Sequence, residues 1–315
     1  MVFGRLRSAD RRRQIDEALA HVSRSDSAAA ARLIGAWRDG RLVGAVFSQV
    51  EPGKTAIVWL PRLIVGEPES TAALLLAATW DFLARQPVVL AQTLLSTVDK
   101  GEKAVLRLGG FRRLANLLYL VSPESSFPTA PPTTPLNFEP YAAADHGRWR
   151  QVLAATYEGS LDCPGLKTAR ESEDVLAGYR ATGVFDPRHW LLAQHADADV
   201  GCLVLADHPR HDTMELLYLG LIPAARGCGW GKHLVQRAQW LARLAGRGRL
   251  VAAVDAANPP AAKTYTSVGF QAWQRRRLYV KELRFIDDWH ASFQQVFHAG
   301  RPTGNGNSAA ALGTS

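Results

Sequence analysis

Residues 226–231 read Arg-Gly-Cys-Gly-Trp-Gly and stand between a strand-like apolar run, residues 215–222, and a run with helical period, residues 232–244. A glycine-rich junction of that kind binds phosphate. The glycines let the backbone turn tightly and present successive N–H groups, and the positive end of the following helix faces whatever sits there. The spacing excludes two common nucleotide loops. A P-loop has Ser or Thr after its lysine, whereas Lys232 is followed by His233; a dinucleotide fingerprint has glycines at G-x-G-x-x-G, whereas here they fall at 227, 229 and 231. A carboxylate, Glu215, opens the strand that leads into the loop, and a phenol, Tyr265, follows in a short helix-like segment beginning at Asn258. A carboxylate can take a proton and a phenol can give one.

The pattern Arg-x-x-Gly-x-Gly at Arg226, Gly229 and Gly231 resembles the acetyl-CoA pyrophosphate loop of the GNAT superfamily of N-acetyltransferases. The flanks agree with it. Residues 215–223, Glu-Leu-Leu-Tyr-Leu-Gly-Leu-Ile-Pro, look like that superfamily's fourth strand, and residues 258–270 fit its Asn-x-x-Ala-x-x-x-Tyr-x-x-x-Gly-Phe segment. The resemblance covers roughly residues 136–284 and implies a mixed α/β sheet with flanking helices and acetyl-CoA as acyl donor, without a metal. It further implies that the backbone at Leu219, Gly220 and Leu221 pairs with pantetheine as one more strand would, which makes side-chain type unimportant there. Gly220 is then the expected site of the bulge that splays the fourth and fifth strands apart. The pyrophosphate falls to Arg226, Gly227, Cys228, Gly229, Trp230, Gly231 and Lys232, with Asn258 beside them.

Acetylating an amine needs a neutral nitrogen, and an alkylammonium of pKa about 10.4 is short of that state by about 4.6 kcal/mol at pH 7. Glu215 stands where the superfamily often places its general base, and Tyr265 where it places the acid that protonates the departing thiolate. The acceptor site implied by the resemblance uses the first two helices and their loop, here Tyr157, Glu158 and Asp162, whose carboxylates could hold a small-molecule or peptide amine. The resemblance implies direct transfer within a ternary complex, so Cys228 and Cys163 are expected to be spectators. Two rivals stay open: a non-catalytic acyl-CoA-binding regulatory protein, and a nucleic-acid-associated basic protein.

The elements that must position these groups fall into two halves. Residues 123–135, rich in Pro, Ser and Thr, have no apolar period and read as a linker that does not enter a core. Motifs repeat on either side of it. Gly44 in Leu-Val-Gly-Ala-Val mirrors Gly201 in Asp-Val-Gly-Cys-Leu, Gly-Phe111 mirrors Gly-Phe270, and Leu-Tyr-Leu120 mirrors Leu-Tyr-Val280. The expected architecture is therefore two tandem GNAT-like domains, a degenerate one at residues 1–122 and a catalytic one at 136–298, followed by a disordered tail at 299–315. This arrangement is similar to that of the mycothiol synthases, although no residue selects mycothiol as acceptor. In the first half, residues 65–71 replace the Arg and two glycines with two acids and a proline, and Asp99 and Leu106 take the places of Asn258 and Tyr265. Neither cap nor acid is expected to survive there.

In the second half the apolar spacing predicts a helix from about Asp145 with Trp149, Val152, Leu153 and Tyr157 on one face, and a second near residues 174–181. Strands are expected near 136–141, 190–194, 200–206, 214–221 and 250–254. Leu234, Ala238, Leu241 and Ala245 form a core stripe. Asn258 is a helix cap with Pro259 at the first position, closed by Gly269. Trp289, Phe293 and Val296 share a face that would pack on the body or form a homodimer contact.

The chain has 315 residues and a formal charge of +8, which suits a polyanionic ligand such as CoA. The basic residues are spread along the chain and not gathered in one aromatic-interleaved patch, which argues against nucleic acid. Three cysteines, Cys163, Cys202 and Cys228, suit neither a disulfide framework nor a zinc cluster. No apolar run is long enough to span a membrane, and the Arg-rich start, Arg5 to Arg13, lacks an apolar signal core, so a cytoplasmic location is expected.

Overall fold

The structure is a computed structural model and describes residues 31–96, 98–166 and 171–283. The Arg-rich start and the Trp289 face lie outside the described residues. The first half contributes β1 (Ala31–Arg38), β2 (Arg41–Glu51), β3 (Thr55–Leu63), α1 (Glu69–Leu83), β4 (Leu90–Leu95), α2 (Lys100–Leu108) and β5 (Arg112–Pro123). The second contributes β6 (Asn137–Pro140), α3 (His146–Tyr157), α4 (Ser172–Arg180), β7 (Trp190–His195), β8 (Ala198–His208) and β9 (Thr213–Leu221). It ends with α5 (Trp230–Leu244), β10 (Arg249–Asp255), α6 (Pro259–Thr266) and β11 (Gln271–Glu282).

All strands join one 11-stranded sheet in the order β1-β2-β3-β4-β11-β5-β10-β9-β8-β7-β6. The halves repeat one plan: β3 runs parallel to β4, as β9 does to β10, with a helix crossing over in each case. The last strands are exchanged. β5, which ends the first half, pairs antiparallel with β10 of the second, from Arg249 opposite Pro123 to Asp255 opposite Leu117. β11 in turn pairs with β4, from Arg277 opposite Leu95 to Glu282 opposite Leu90. The two exchanged strands also pair with each other, so each half's sheet is completed by the other's chain.

One face of the sheet carries α5 and α6, whose Leu234, Ala238, Leu241 and Tyr265 pack with Leu216, Leu250, Ala252, Val254 and Leu120. Ala245, the fourth residue of the expected stripe, is only partly buried. α1 and α2 cover the same face in the first half through Leu75, Leu76, Leu83 and Leu106. The opposite face carries α3 and α4, where Trp149, Leu153, Val175 and Leu176 pack on Trp190, Leu192, Cys202 and Val204. Tyr157 lies only partly buried at the edge of that cluster, and Thr156 takes the buried place beside Trp149, Val152 and Leu153.

Two expectations need correction. The linker does enter a core: Phe127 is 4% exposed and packs with Leu136 in the α5 cluster, because one large aromatic ring can anchor a segment that has no period. Asp99 does preserve a cap. It accepts from the Glu102 amide at 2.7 Å while Glu102 accepts from the Asp99 amide at 3.1 Å, a reciprocal box at the start of α2. Only the acid is gone, since Leu106 is a buried core residue.

Candidate active site

β9 and β10 pair in parallel only from Thr213 opposite Arg249 to Leu216 opposite Ala252. Beyond that point β10 stays with β5 while β9 stays with β8, and the two strands part. The irregularity lies at Leu217, the extra residue between the pairs Val204–Tyr218 and Leu205–Leu216. The bulge is therefore not at Gly220. Gly220 meets a different demand: a Cβ there would lie 2.7 Å from Thr156 Cβ and 2.7 Å from the Tyr218 hydroxyl, so glycine lets the end of α3 press against the strand.

The separation leaves a backbone edge on β9 that no strand among the described residues pairs, although its Leu221 carbonyl accepts from the Arg226 side chain. Ile222 N–H donates to the Val200 carbonyl at 3.0 Å, and antiparallel alternation then turns the amide and carbonyl of Leu221 and Leu219 away from β8, into the gap. Those are two of the three residues expected to pair with pantetheine. The gap is bounded on the other side by Asp255, the last residue of β10, whose amide donates to Asp162 Oδ1 at 2.9 Å.

At the end of the β9 edge the chain enters the glycine loop. Gly227 and Gly229 have φ of +82° and +77°, and nothing lies within 4 Å of a Cβ built on either. Gly229 is the N-cap of α5, and no side chain caps that helix. Four amides at a helix start need partners, and here the chain supplies Lys232 N–H with the Gly229 carbonyl but no side-chain acceptor. That is a fit for a pyrophosphate. Arg226 has other work: its Nε donates to the Leu221 carbonyl at 3.1 Å and its Nη2 to the Thr156 carbonyl at 2.9 Å, which braces β9 against the C-terminus of α3. Asn258 accepts from the Ala261 amide at 3.2 Å and so caps α6, with Pro259 at the first position as expected. Cys228 and Lys232 are exposed and Trp230 is half-buried, in ring contact with His195 at 4.7 Å.

Glu215 sits on the α3/α4 face of β9, opposite the inward-facing Met214 and Leu216. Its Oε2 lies 2.9 Å from His208 Nε2 across the β8–β9 hairpin. That hydrogen bond, ahead of the opposing effect of burial, raises the His208 pKa above the ordinary imidazole value, and the Glu215 and Asp207 charges add to it. Spacing alone does not reveal His208, because its relevance comes from the hairpin that brings it opposite Glu215. Tyr265 is 7% exposed, in edge contact with Phe270 at 5.2 Å. Burial and, secondarily, the Asp162 charge push its pKa up, so the phenol stays protonated. The Asp162 residue is exposed, but its carboxylate is packed; desolvation raises its pKa, the accepted Asp255 amide opposes this, and the Asp255 charge adds to it.

Of the expected acceptor residues, Tyr157 meets Tyr218 edge-on at 5.3 Å and Glu158 is exposed just past α3. Asp162 is tied to β10 and not free at the surface. Burial pushes Cys163 and Cys202 up to about 12, which leaves both as inert thiols. Among the described residues no group of three or more metal-ligating side chains occurs, and no helix is long and apolar enough to cross a membrane.

Residues 153–270, which hold the parted strands, the glycine loop and α6, match the Acetyltransferase (GNAT) family. They are a GNAT acetyltransferase domain. The chain containing this GNAT domain is 30% identical over 185 residues to a mycothiol acetyltransferase of Streptomyces bingchenggensis, covering 56% of this chain and 57% of that one. It is also 30% identical over 176 residues to a mycothiol acetyltransferase of Pseudarthrobacter chlorophenolicus, covering 52% and 51%. The chain thus spans about half the length of the curated relatives it matches. In fold it is similar to a GCN5-related N-acetyltransferase from Sphaerobacter thermophilus, with a TM-score of 0.60 at 17% identity over 85% of each chain. A GCN5-related N-acetyltransferase from Kribbella flavida gives 0.50 at 12% identity over 85% of this chain and 96% of that one. The likeness extends through both halves of the GNAT-like sheet.

Proposed function

We propose that the chain is an acetyl-CoA-dependent N-acetyltransferase that moves the acetyl group to a primary amine by direct transfer, with its site in the second half. The observation that carries this reading is the edge of β9 at residues 217–221, left without a pairing strand among the described residues, which runs directly into the uncapped start of α5. A strand-like pantetheine chain fits the edge, and its pyrophosphate fits the amides. The similarity to mycothiol acetyltransferases supports acetyl transfer.

In this reading the acceptor amine gives up a proton towards Glu215, which shares a hydrogen bond with His208. The neutral nitrogen attacks the thioester carbonyl, an N–C bond forms, the nitrogen sheds its second proton to solvent, from which Tyr265 is later reprotonated, and the C–S bond breaks with its electron pair leaving on sulfur. Tyr265, kept protonated by burial, returns a proton to that sulfur. Much of the rate comes from holding the amine against the thioester. The test is calorimetric titration with acetyl-CoA, followed by thiol release across a panel of amines. An absence of acetyl-CoA binding would sink the activity, and binding without thiol release for any amine would favour a regulatory acyl-CoA binder.

A further inference from the structure

On the α3/α4 face the described residues leave open the part of the sheet around Ala253 and Tyr119, between Glu215 and β11, while next to it Leu117 of β5 packs in one cluster with Cys163 of the loop after α3. Glu215 of β9 stands opposite Val251 of β10, which stands opposite Val121 of β5. Two residues further along, Ala253 stands opposite Tyr119, and Tyr119 opposite Gln274 of β11. β10 is an interior strand, yet Ala253 is exposed, so among the described residues nothing packs above it. The floor is lined by aromatic groups: Tyr119 meets the edge of Trp273 at 6.1 Å, and Trp273 is 58% exposed. At the far side the Arg276 guanidinium lies 5.2 Å from the Tyr119 ring centre. Its Nε donates to the Gln274 side-chain oxygen at 3.2 Å, and among the described residues it has no carboxylate partner.

The floor is also a cleft. The turn between β2 and β3 reaches α4, where a Cβ on Gly53 would collide with the Asp174 carbonyl and Lys54 Nζ lies 3.2 Å from Asp174 Oδ2. β3 and β9 are separated in the sheet by β4, β11, β5 and β10, so this contact requires the sheet to curl towards its α3/α4 face. The Glu215 carboxylate, paired with His208, therefore marks one end of a curved, aromatic-floored channel, and the Arg276 guanidinium, without a carboxylate partner among the described residues, the other.

We propose that this channel seats the acceptor, and that the acceptor is an extended amine with a carboxylate at its far end. The amine lies at Glu215, the body over Tyr119 and Trp273, and the carboxylate on the outer Nη pair of Arg276, which can bind it through two parallel hydrogen bonds. β9 and β11 are three strand spacings apart, roughly 14 Å. Arg276 stands opposite Leu117, but its guanidinium reaches back over Tyr119, two residues along β5 from Val121 at the level of Glu215. The diagonal is therefore roughly 16 Å, which an extended tetrapeptide covers with the two side chains reaching inward. The inference rests on the acetyltransferase reading for the role of Glu215, but not for the channel's preference for a carboxylate. Because Tyr119 lies on the exchanged strand β5, the first half of the chain takes part in reading the acceptor.

The experiment titrates the full chain, saturated with CoA, with the tetrapeptide Ala-Phe-Gly-Ala as free acid and as C-terminal amide. The acid should bind at least about tenfold more tightly, the difference expected of a charge-assisted pair. Arg276→Gln should abolish the difference while acetyl-CoA affinity stays unchanged, which also shows that the variant folds. Trp273→Ala should weaken acid and amide alike. Equal binding of the two peptides, no binding of the acid, or a preference that survives Arg276→Gln would overturn the proposal. Loss of acetyl-CoA binding with the acid preference intact would instead strike the acetyltransferase reading and leave the channel standing.

Discussion

His208 Nε2 lies 2.9 Å from Glu215 Oε2, so the carboxylate expected to take the ammonium proton is already part of a pair. The His208 pKa is raised above its ordinary value by that bond. Below the raised value the pair is imidazolium and carboxylate and accepts a further proton poorly; above it the imidazole is neutral and the pair can accept one. Turnover should therefore rise with pH through the raised His208 pKa. His208→Gln should remove this acidic limb and lower the plateau, and Glu215→Gln should lower turnover most visibly near neutral pH. A pH–rate profile for His208→Gln that superimposes on the wild type would remove His208 from the mechanism.

The same pair makes a small contribution to stability with a definite sign. A raised folded pKa means that the contribution is fully present below the unfolded imidazole value and is lost as pH rises through the folded one. The side chains are 24% and 40% exposed, so solvent screening keeps the effect below about 1 kcal/mol. Thermal melts of His208→Gln should fall below wild type at pH 5.5 and converge with it at pH 9.

Gly231 separates the needs of the ligand from those of the fold. A Cβ on it would meet only Thr264, at 3.6 Å, an ordinary contact. Gly231→Ala should therefore melt near the wild-type temperature and yet weaken acetyl-CoA binding about tenfold or more, because the obstruction is to the ligand's approach. Gly229, at φ +77°, should add a backbone penalty of about 1–2 kcal/mol when replaced by Val. Unchanged affinity in both variants, read by calorimetry, would remove the pyrophosphate from this loop.

The second half was legible because its signals are local. The glycine loop, the Asn258 cap and the apolar periods all lie within short windows, and the strands and helices fall within a few residues of where the spacing puts them. The bulge was misplaced because glycine marks both bulges and close approaches, and only the position of Thr156 tells them apart. The Arg226 braces and the His208 pair are set by contacts between segments remote in sequence or across a hairpin, which periodicity does not encode. Strand exchange is invisible for the same reason. Mirrored motifs at Leu-Tyr-Leu120 and Leu-Tyr-Val280 reveal a repeat but not which half each copy completes.

Exchange makes a prediction about fragments. Residues 136–283 lack β5 and leave β10 with an open edge, the buried Gln239 without its 2.8 Å bond to Ser122, and the core without Leu120. Residues 111–283 regain all three. The shorter fragment should aggregate or fail to bind acetyl-CoA, and the longer one should be the more stable by several kcal/mol, as expected for loss of a core strand. Equal stability in denaturant would show that β5 is dispensable to the second half.

The first half keeps the fold but lacks the groups through which the second half is proposed to hold acetyl-CoA, and one ligand per chain is the expected stoichiometry. Leu63 and Leu221 occupy the same place, each opposite the mirrored glycine, Gly44 or Gly201. Counting back along β3 then puts Pro61 where Leu219 stands, and a proline has no amide to offer pantetheine. Ile57, third in the run paired with β4, stands where Glu215 is third in the run paired with β10, so no base remains. At the start of α1 the anion place is taken by the chain itself: Glu67 accepts from Arg38 Nη2 at 2.8 Å and from the Thr71 hydroxyl. The Arg38 bond first, and the Thr71 bond next, hold its pKa below the ordinary carboxylate value, so it stays charged and repels a phosphate. Calorimetry should give a stoichiometry of one for wild type and for Glu67→Gln, and no binding for Gly231→Val. Two sites in the wild type, or a site that survives Gly231→Val, would return a cofactor role to the first half.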